Sequence, residues 1–388
     1  VVADTKEPEK QMRDHSPLPA GQVDVISPPG KKQPGLDFLF NRFVSRNLYF
    51  YSVFLIGGFY LSLFVSVSLF VFDPVLFYFR SWEYFDDIVF HSPGKKTVWD
   101  APEKGDLSRK HFFQHQESWH NFVSCDADGF RSVPIQAESY PILVVGDCQT
   151  WGTALSDSQT IPWKLAESLN IPVYNAGRIP FTLPKVLKHP KFSQTKLVVE
   201  IVTAHLINQD LFSEPFRIEE YQPLMKEEMH PLFSATPRRY FLPYKWIHFF
   251  SLKNLLSLFP LQTDREVFIE NKSDEVMGIA VDNICKRARA LQEIGIQYLF
   301  IPIPQPYYAK CSEAEYAQLG SLAEWHAKLI QKLIERNIHA ISFDSLFREH
   351  GAKLFFESDS HINEYAVDLM VSEISRYIRE NGILFENQ

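Results

Sequence analysis

Cysteine is scarce in this chain, and none of it is arranged for metal or redox pairing. Cys125, Cys148, Cys285 and Cys311 form no CxxC and no zinc-ligand spacing. Excess positive charge is also missing. The formal net charge is -8 and the pI about 5.9, which argues against nucleic acid as the main partner. No internal repeat is visible. Asp126-Ala127-Asp128-Gly129 lacks the third acid and distal glutamate of a calcium loop. His111, His115 and His120 fall at near-helical spacing, but no matched carboxylate or cysteine cluster accompanies them. Neither a cofactor nor a metal is therefore expected.

The most informative absence is local. Between Asn47 and Phe72 there is no charged residue. About 20 apolar residues suffice for a helix to cross a bilayer, so this run is long enough. A buried core helix rarely stays uncharged for so long. A cleaved signal sequence would start nearer the N-terminus, be shorter and end in a small-x-small site. Tyr49, Tyr51, Phe77, Tyr78, Phe79 and Trp82 suit interfacial belts at the two ends. Lys31, Lys32, Arg42 and Arg46 precede the run and only Arg80 follows closely. The positive-inside bias then leaves the N-terminus in the cytoplasm and residues 73–388 outside it. The expected organisation is a disordered, Pro- and charge-rich segment 1–46, a single transmembrane helix 47–72, an irregular connector 73–125 and a folded domain 126–388.

That domain alternates short apolar runs with helical patterns, the signature of a parallel α/β sheet. Strands are expected at Ile142–Gly146, Val173–Asn175, Leu197–Val202, Gln297–Ile303 and His339–Phe343. Helices are expected at Ile161–Leu169, Ser273–Ile294, Glu313–Asn337 and Glu364–Glu380. Residues 206–270 break the rhythm with prolines and aromatics (Tyr240, Phe241, Tyr244, Trp246, Phe249, Phe250). They read as an insertion or cap, lining a site or packing as core.

Three blocks carry chemistry. Gly146-Asp147-Cys148 follows the first strand, where an α/β sheet exposes side chains at its carboxyl edge. A thiol there lies near a helix N-terminus, which favours the thiolate; a buried, inert cysteine is the competing reading. Asn175-Ala176-Gly177 follows the next strand, and its glycine lets backbone approach a ligand. Asp359-Ser360-His361 precedes the last helix; a carboxylate two residues before an imidazole can orient it as a base.

In this order, the blocks resemble the SGNH (GDSL-like) hydrolases, whose serine nucleophile is replaced here by Cys148. Asp128-Gly129-Phe130-Arg131 is similar to a lead-in found in many bacterial members. The Asp-x-His spacing resembles the alginate-acetylation type that modifies envelope polysaccharides. The resemblance covers about Asp126 to Ile378. It implies a three-layer, flavodoxin-like parallel sheet, with Cys148, His361 and Asp359 as the catalytic set and Gly177 as an oxyanion donor. The family's third-strand asparagine has no clean counterpart; Asn208, Thr203 and His205 are the candidates. The function implied is a membrane-anchored acyltransferase or esterase acting on acetyl groups of an envelope glycan, at the inner membrane with its domain in the periplasm. The alternative is a non-catalytic scaffold or accessory subunit working with other membrane proteins.

The topology is directly testable. With the outer barrier permeabilised, protease or thiol reagents applied to intact cells should reach residues beyond 100. Protection of that region would contradict the orientation.

Overall fold

The computed structural model describes residues 34–72, 94–103, 117–177, 183, 187–203, 207, 274–304, 324–356 and 361–384. Helix α1 (Pro34–Phe72) contains the apolar run. No residue of its 22-residue stretch Val44–Val65 is buried, and at about 1.5 Å per residue the stretch is about 33 Å long. That matches a hydrocarbon core of about 30 Å. Among the described residues it is the one helix long and apolar enough to cross a membrane. The helix starts earlier than its uncharged run, so residues 34–46 are helical rather than part of a disordered segment. Pro34 suits a first helical turn, and the Leu36–Phe43 stretch is apolar enough to continue it.

Of the expected irregular connector 73–125, the described residues 94–103 and 117–125 are mostly strand. Strands β1 (Lys96–Glu103) and β2 (Glu117–Ser124) form an antiparallel ribbon, paired from Lys96↔Ser124 to Glu103↔Glu117. Charges at Lys96, Asp100 and Glu103 and the proline Pro102 hide its period in the sequence. An edge strand tolerates a proline because that residue need not donate to a ladder.

The domain's main sheet has five parallel strands: β3 (Ile142–Gly146), β4 (Val173–Gly177), β5 (Leu197–Thr203), β6 (Gln297–Ile303) and β7 (His339–Ala340). Their spatial order is β4-β3-β5-β6-β7. Counting only these strands, this is the flavodoxin-like order 2-1-3-4-5. The α/β fold expected from the sequence is thus observed. β7 is shorter than the expected His339–Phe343, because Ser342 hydrogen-bonds Asp344 and the chain turns into a helix.

Residues along each strand alternate between two cores, as period-2 geometry requires. On one face Leu143, Val145, Tyr174, Val198, Tyr298 and Phe300 pack with helices α4 (Asp274–Glu293) and α5 (Trp325–Glu335). On the other, Val144, Val199, Ile201 and Ile301 pack with α3 (Ile161–Leu169) and α7 (Glu364–Glu380), together with Phe347 of α6 (Asp344–His350). The result is a three-layer sandwich. The short helix α2 (Cys148–Trp151) follows β3 directly. The helix expected at Glu313–Asn337 is seen from Trp325, and residues 313–323 lie outside the described residues, as does the insertion at 208–270.

One charged cluster lies inside the first core. Glu200 of β5, fully buried, accepts from Arg287 of α4 and from the Tyr298 hydroxyl of β6. Burial pulls the Arg287 guanidinium down, but the Glu200 carboxylate more than offsets it and holds it above its ordinary range. Burial, then Glu200, raises the Tyr298 phenol. Removing one partner leaves a buried charge uncompensated, which typically costs about 3–5 kcal/mol. Arg287→Met should therefore destabilise the detergent-solubilised chain by about that much in denaturant unfolding. Replacing all three together (Glu200→Leu, Arg287→Met, Tyr298→Phe) should cost far less.

Candidate active site

At the carboxyl edge of the sheet, the chain between β3 and α2 turns sharply over the end of β5. Gly146 has φ +151°, and a Cβ there would lie 1.8 Å from the Ile201 carbonyl oxygen. Only glycine fits that turn. Asp147 then caps α2. Its Oδ1 accepts the Gln149 amide at 2.9 Å, and its Oδ2 accepts the Thr203 amide from the end of β5 at 2.6 Å. Thr150 Oγ1 donates to the Ile201 carbonyl at 3.0 Å. Both oxygens of Asp147 are thus committed to backbone, so its role is to seat Cys148 on the sheet edge. The β3–β5 gap is also where the strand order reverses, the usual ligand position in open α/β sheets.

Cys148 is the first residue of α2 and is half-buried, whereas Cys125 and Cys285 are buried. With a single turn, α2 has few aligned peptide dipoles, so help to a thiolate from the helix is small. Gly177, at the end of β4, pairs in register with Gly146, and a Cβ on it would lie 2.4 Å from the Trp151 nitrogen. Close approach of β4 to α2 explains this glycine. Its amide donates to Asn175 Oδ1 at 3.0 Å. Thr203 is buried, and its hydroxyl has no hydrogen-bond partner among the described residues.

His361 comes to the same edge from the far end of the chain. It is 7% exposed. Phe355 and Ile362 pair in an antiparallel bridge, and the Phe356 amide donates to the His361 carbonyl at 3.2 Å. The Ile362 amide donates to Gln149 Oε1 at 3.0 Å. Asn363 caps α7 through the Ala366 amide, while its Nδ2 donates to the Lys353 and Phe355 carbonyls. Glu364 adds bonds to Gln159 and to Lys164 of α3. The Lys164 ammonium, by hydrogen bond, holds the Glu364 carboxyl below its ordinary range. The block holding His361 is therefore docked onto the block holding Cys148, one residue away from each. Asp359, Asn208 and His205 lie outside the described residues.

Behind α2 sits a residue whose role the sequence did not disclose. Arg131 is fully buried. Its Nη1 donates to the Trp151 and Gly152 carbonyls at 2.9 and 2.6 Å, its Nη2 to the Leu155 carbonyl, and its Nε to Asp157 Oδ1 at 2.8 Å. Its guanidinium carbon lies 4.7 Å from the centre of the Trp151 ring. Burial lowers its pKa, and Asp157 offsets part of that; an arginine stays protonated regardless. Asp157 also accepts the Ser124 amide and hydroxyl, which ties the ribbon to the site. The Ser156-x-x-Gln159 capping box was a sequence signal for this turn. Asp126 and Asp128, considered above as a calcium loop, are engaged otherwise: Asp126 accepts from Tyr174 and Lys191, and Asp128 pairs with Lys191.

No family model matches the chain, and no curated protein matches it. Among solved structures it is similar to a protein described as lipolytic and of the G-D-S-L family from Desulfitobacterium hafniense. The identity is 12%, with 61% of this chain and 98% of that one covered and a TM-score of 0.33. It is also similar to an acetylxylan esterase from Geobacillus stearothermophilus (13% identity, 65% and 98% covered, TM-score 0.32). A lipase/acylhydrolase from Enterococcus faecalis gives 14% identity, 62% and 96% coverage and a TM-score of 0.31. At such scores the likeness carries no argument about activity.

Arg131→Met removes the cation and leaves three buried carbonyls and Asp157 short of a partner. The expected loss is about 3–5 kcal/mol of stability, by denaturant unfolding. Arg131→Lys, a point charge without the planar fork, should recover only part of it.

Proposed function

We propose that this chain is a membrane-anchored enzyme of the SGNH type that transfers or hydrolyses acyl, chiefly acetyl, esters on an envelope glycan. The observation that carries the proposal is the hydrogen bond from the Ile362 amide to Gln149, which joins the cysteine turn to the histidine loop across most of the domain. In this reading His361 takes the Cys148 proton and Asp359 orients the imidazole. The thiolate attacks the ester carbonyl and forms a thioester, while the tetrahedral oxyanion is held by the Cys148 and Gly177 amides. His361 returns the proton to the departing alcohol; water or a second glycan hydroxyl then attacks the thioester and regenerates the thiol. An oxyanion at Gly177 has to compete with Asn175 for its amide. The Thr203 hydroxyl, buried at the end of β5, and Asn208 are the candidates for a further donor. Helix α1 would hold the domain at the inner membrane, on its periplasmic side.

A second reading is favoured by that same Gly177–Asn175 bond and by the thiol itself. It makes the domain a non-catalytic scaffold or accessory subunit of a membrane assembly.

The two readings separate on the thiol. For a working nucleophile, Cys148 alkylation by iodoacetamide near pH 7 should outpace that of Cys125 and Cys285. Its pH–rate midpoint should lie below the free-thiol value of about 8.5, because an imidazolium partner favours the thiolate. The rate then persists as pH falls from about 8.5 toward that midpoint, is halved there and is lost below it. Release of acetate from acetylated glycans or p-nitrophenyl acetate should accompany it. No turnover by the folded protein or by its Cys148→Ser variant would leave the scaffold reading standing.

A further inference from the structure

Resting on the catalytic reading above, the geometry points to one further residue, Gln149. We infer that its side chain is the positioning group of the Cys148–His361 pair. Gln149 follows Cys148 by one peptide bond and is 4% exposed. Its own amide is fixed on Asp147 Oδ1, so its backbone cannot drift from the end of β3. A buried primary amide is costly unless hydrogen-bonded. Its Oε1 accepts the amide of Ile362, 213 residues away.

The bond falls on one particular peptide unit. The plane joining His361 to Ile362 carries the His361 carbonyl and the Ile362 N–H. The Phe356 amide holds the first at 3.2 Å, and Gln149 holds the second at 3.0 Å. A planar peptide pinned at both polar ends leaves little rotation of that plane. That fixes the Cα of His361, the point from which its side chain leaves the backbone. The Phe356 contact lies within the segment that carries His361, so it says nothing about the thiol. Gln149 alone of these two references the imidazole to the chain that carries Cys148. Without it, the segment keeps its bridge, its Asn363 cap and the Glu364 bonds to Gln159 and Lys164, but loses its direct bond to the nucleophile turn and can shift against it. Proton transfer between the pair is sensitive to such a shift, because general-base catalysis needs hydrogen-bond reach of about 2.6–3.2 Å.

The test uses the full chain in detergent and reads the pH–rate profile of Cys148 alkylation by iodoacetamide, resolved by mass spectrometry. Gln149→Met keeps the side chain's length and removes the acceptor. Its midpoint is expected to move up toward that of His361→Ala, with alkylation near pH 7 slowed by about three- to tenfold. The range reflects a thiolate fraction that falls as the midpoint rises, partly offset by the higher nucleophilicity of a more basic thiol. A residue with a merely structural role would lower the melting temperature without moving the midpoint. If Gln149→Met folds too poorly to assay, Gln149→Asn carries the test, since its shorter side chain withdraws the acceptor; its midpoint should move in the same direction. A midpoint unmoved in the assayed variant, while His361→Ala moves it, overturns the inference and spares the catalytic reading. A midpoint that His361→Ala also fails to move overturns both.

Discussion

The buried guanidinium of Arg131 is the interaction on which the site depends. A short helix such as α2 leaves its last carbonyls without internal partners, and buried carbonyls need donors. Here the carbonyls of Trp151 and of its cap Gly152, with that of Leu155 just beyond the helix, converge on one cation, and Asp157 supplies the compensating charge. The planar fork is what makes this possible, because five donors in fixed geometry can serve several acceptors at once. Loss of this contact would free the chain after Cys148 to move as a loop. It also explains why the ribbon belongs to the domain: Ser124, at its inner end, bonds the same Asp157 that neutralises Arg131.

Above that support, the sheet sets the positions. Register pairs Gly146 with Gly177 on one side and with Ile201 on the other. Both glycines are places where a side chain would strike backbone, so the turn after β3 is packed from two directions. Cys148 therefore sits at the strand-order reversal with its backbone fixed by neighbouring strands. Asp147, the acid of the first block, spends both oxygens on that fixation. Its value to the site is geometric.

The sheet was legible because its strands are continuous apolar runs bounded by turns. Ile142–Gly146 and Gln297–Ile303 coincide with expectation, and α3 and α7 do as well. The ribbon was not, since Lys96, Asp100 and Pro102 interrupt any alternation and its stability comes from a tertiary tie at Asp157. Helix α6 was missed because its seven residues bury only Phe347 and show no stripe. At the site, Cys148, Gly177 and His361 were readable as blocks. Arg131 was visible only as the end of a lead-in motif, and nothing local in Asp157 or Gln149 announces a partner far along the chain. Contacts of that kind are set by topology, and a pattern read residue by residue has no access to them.

In the catalytic reading proposed above, the thiol changes when the chemistry needs its geometry. A serine hydroxyl needs its base in the transition state, since the free alkoxide is inaccessible near neutral pH. A cysteine reaches the anion beforehand, and an imidazolium then acts as its counter-ion. Such a counter-ion has to stay within hydrogen-bond reach in the resting protein as well as during the reaction. The described residues beside His361 constrain it by backbone means. The peptide after His361 is held at both ends, Ile362 bridges Phe355, and Asn363 anchors the following helix to the Lys353 and Phe355 carbonyls. Resting-state rigidity is thus concentrated where a thiolate–imidazolium pair would need it. The half-buried position of Cys148 fits the same logic: it is exposed enough for an ester to approach, and enclosed enough for a charge partner to be felt.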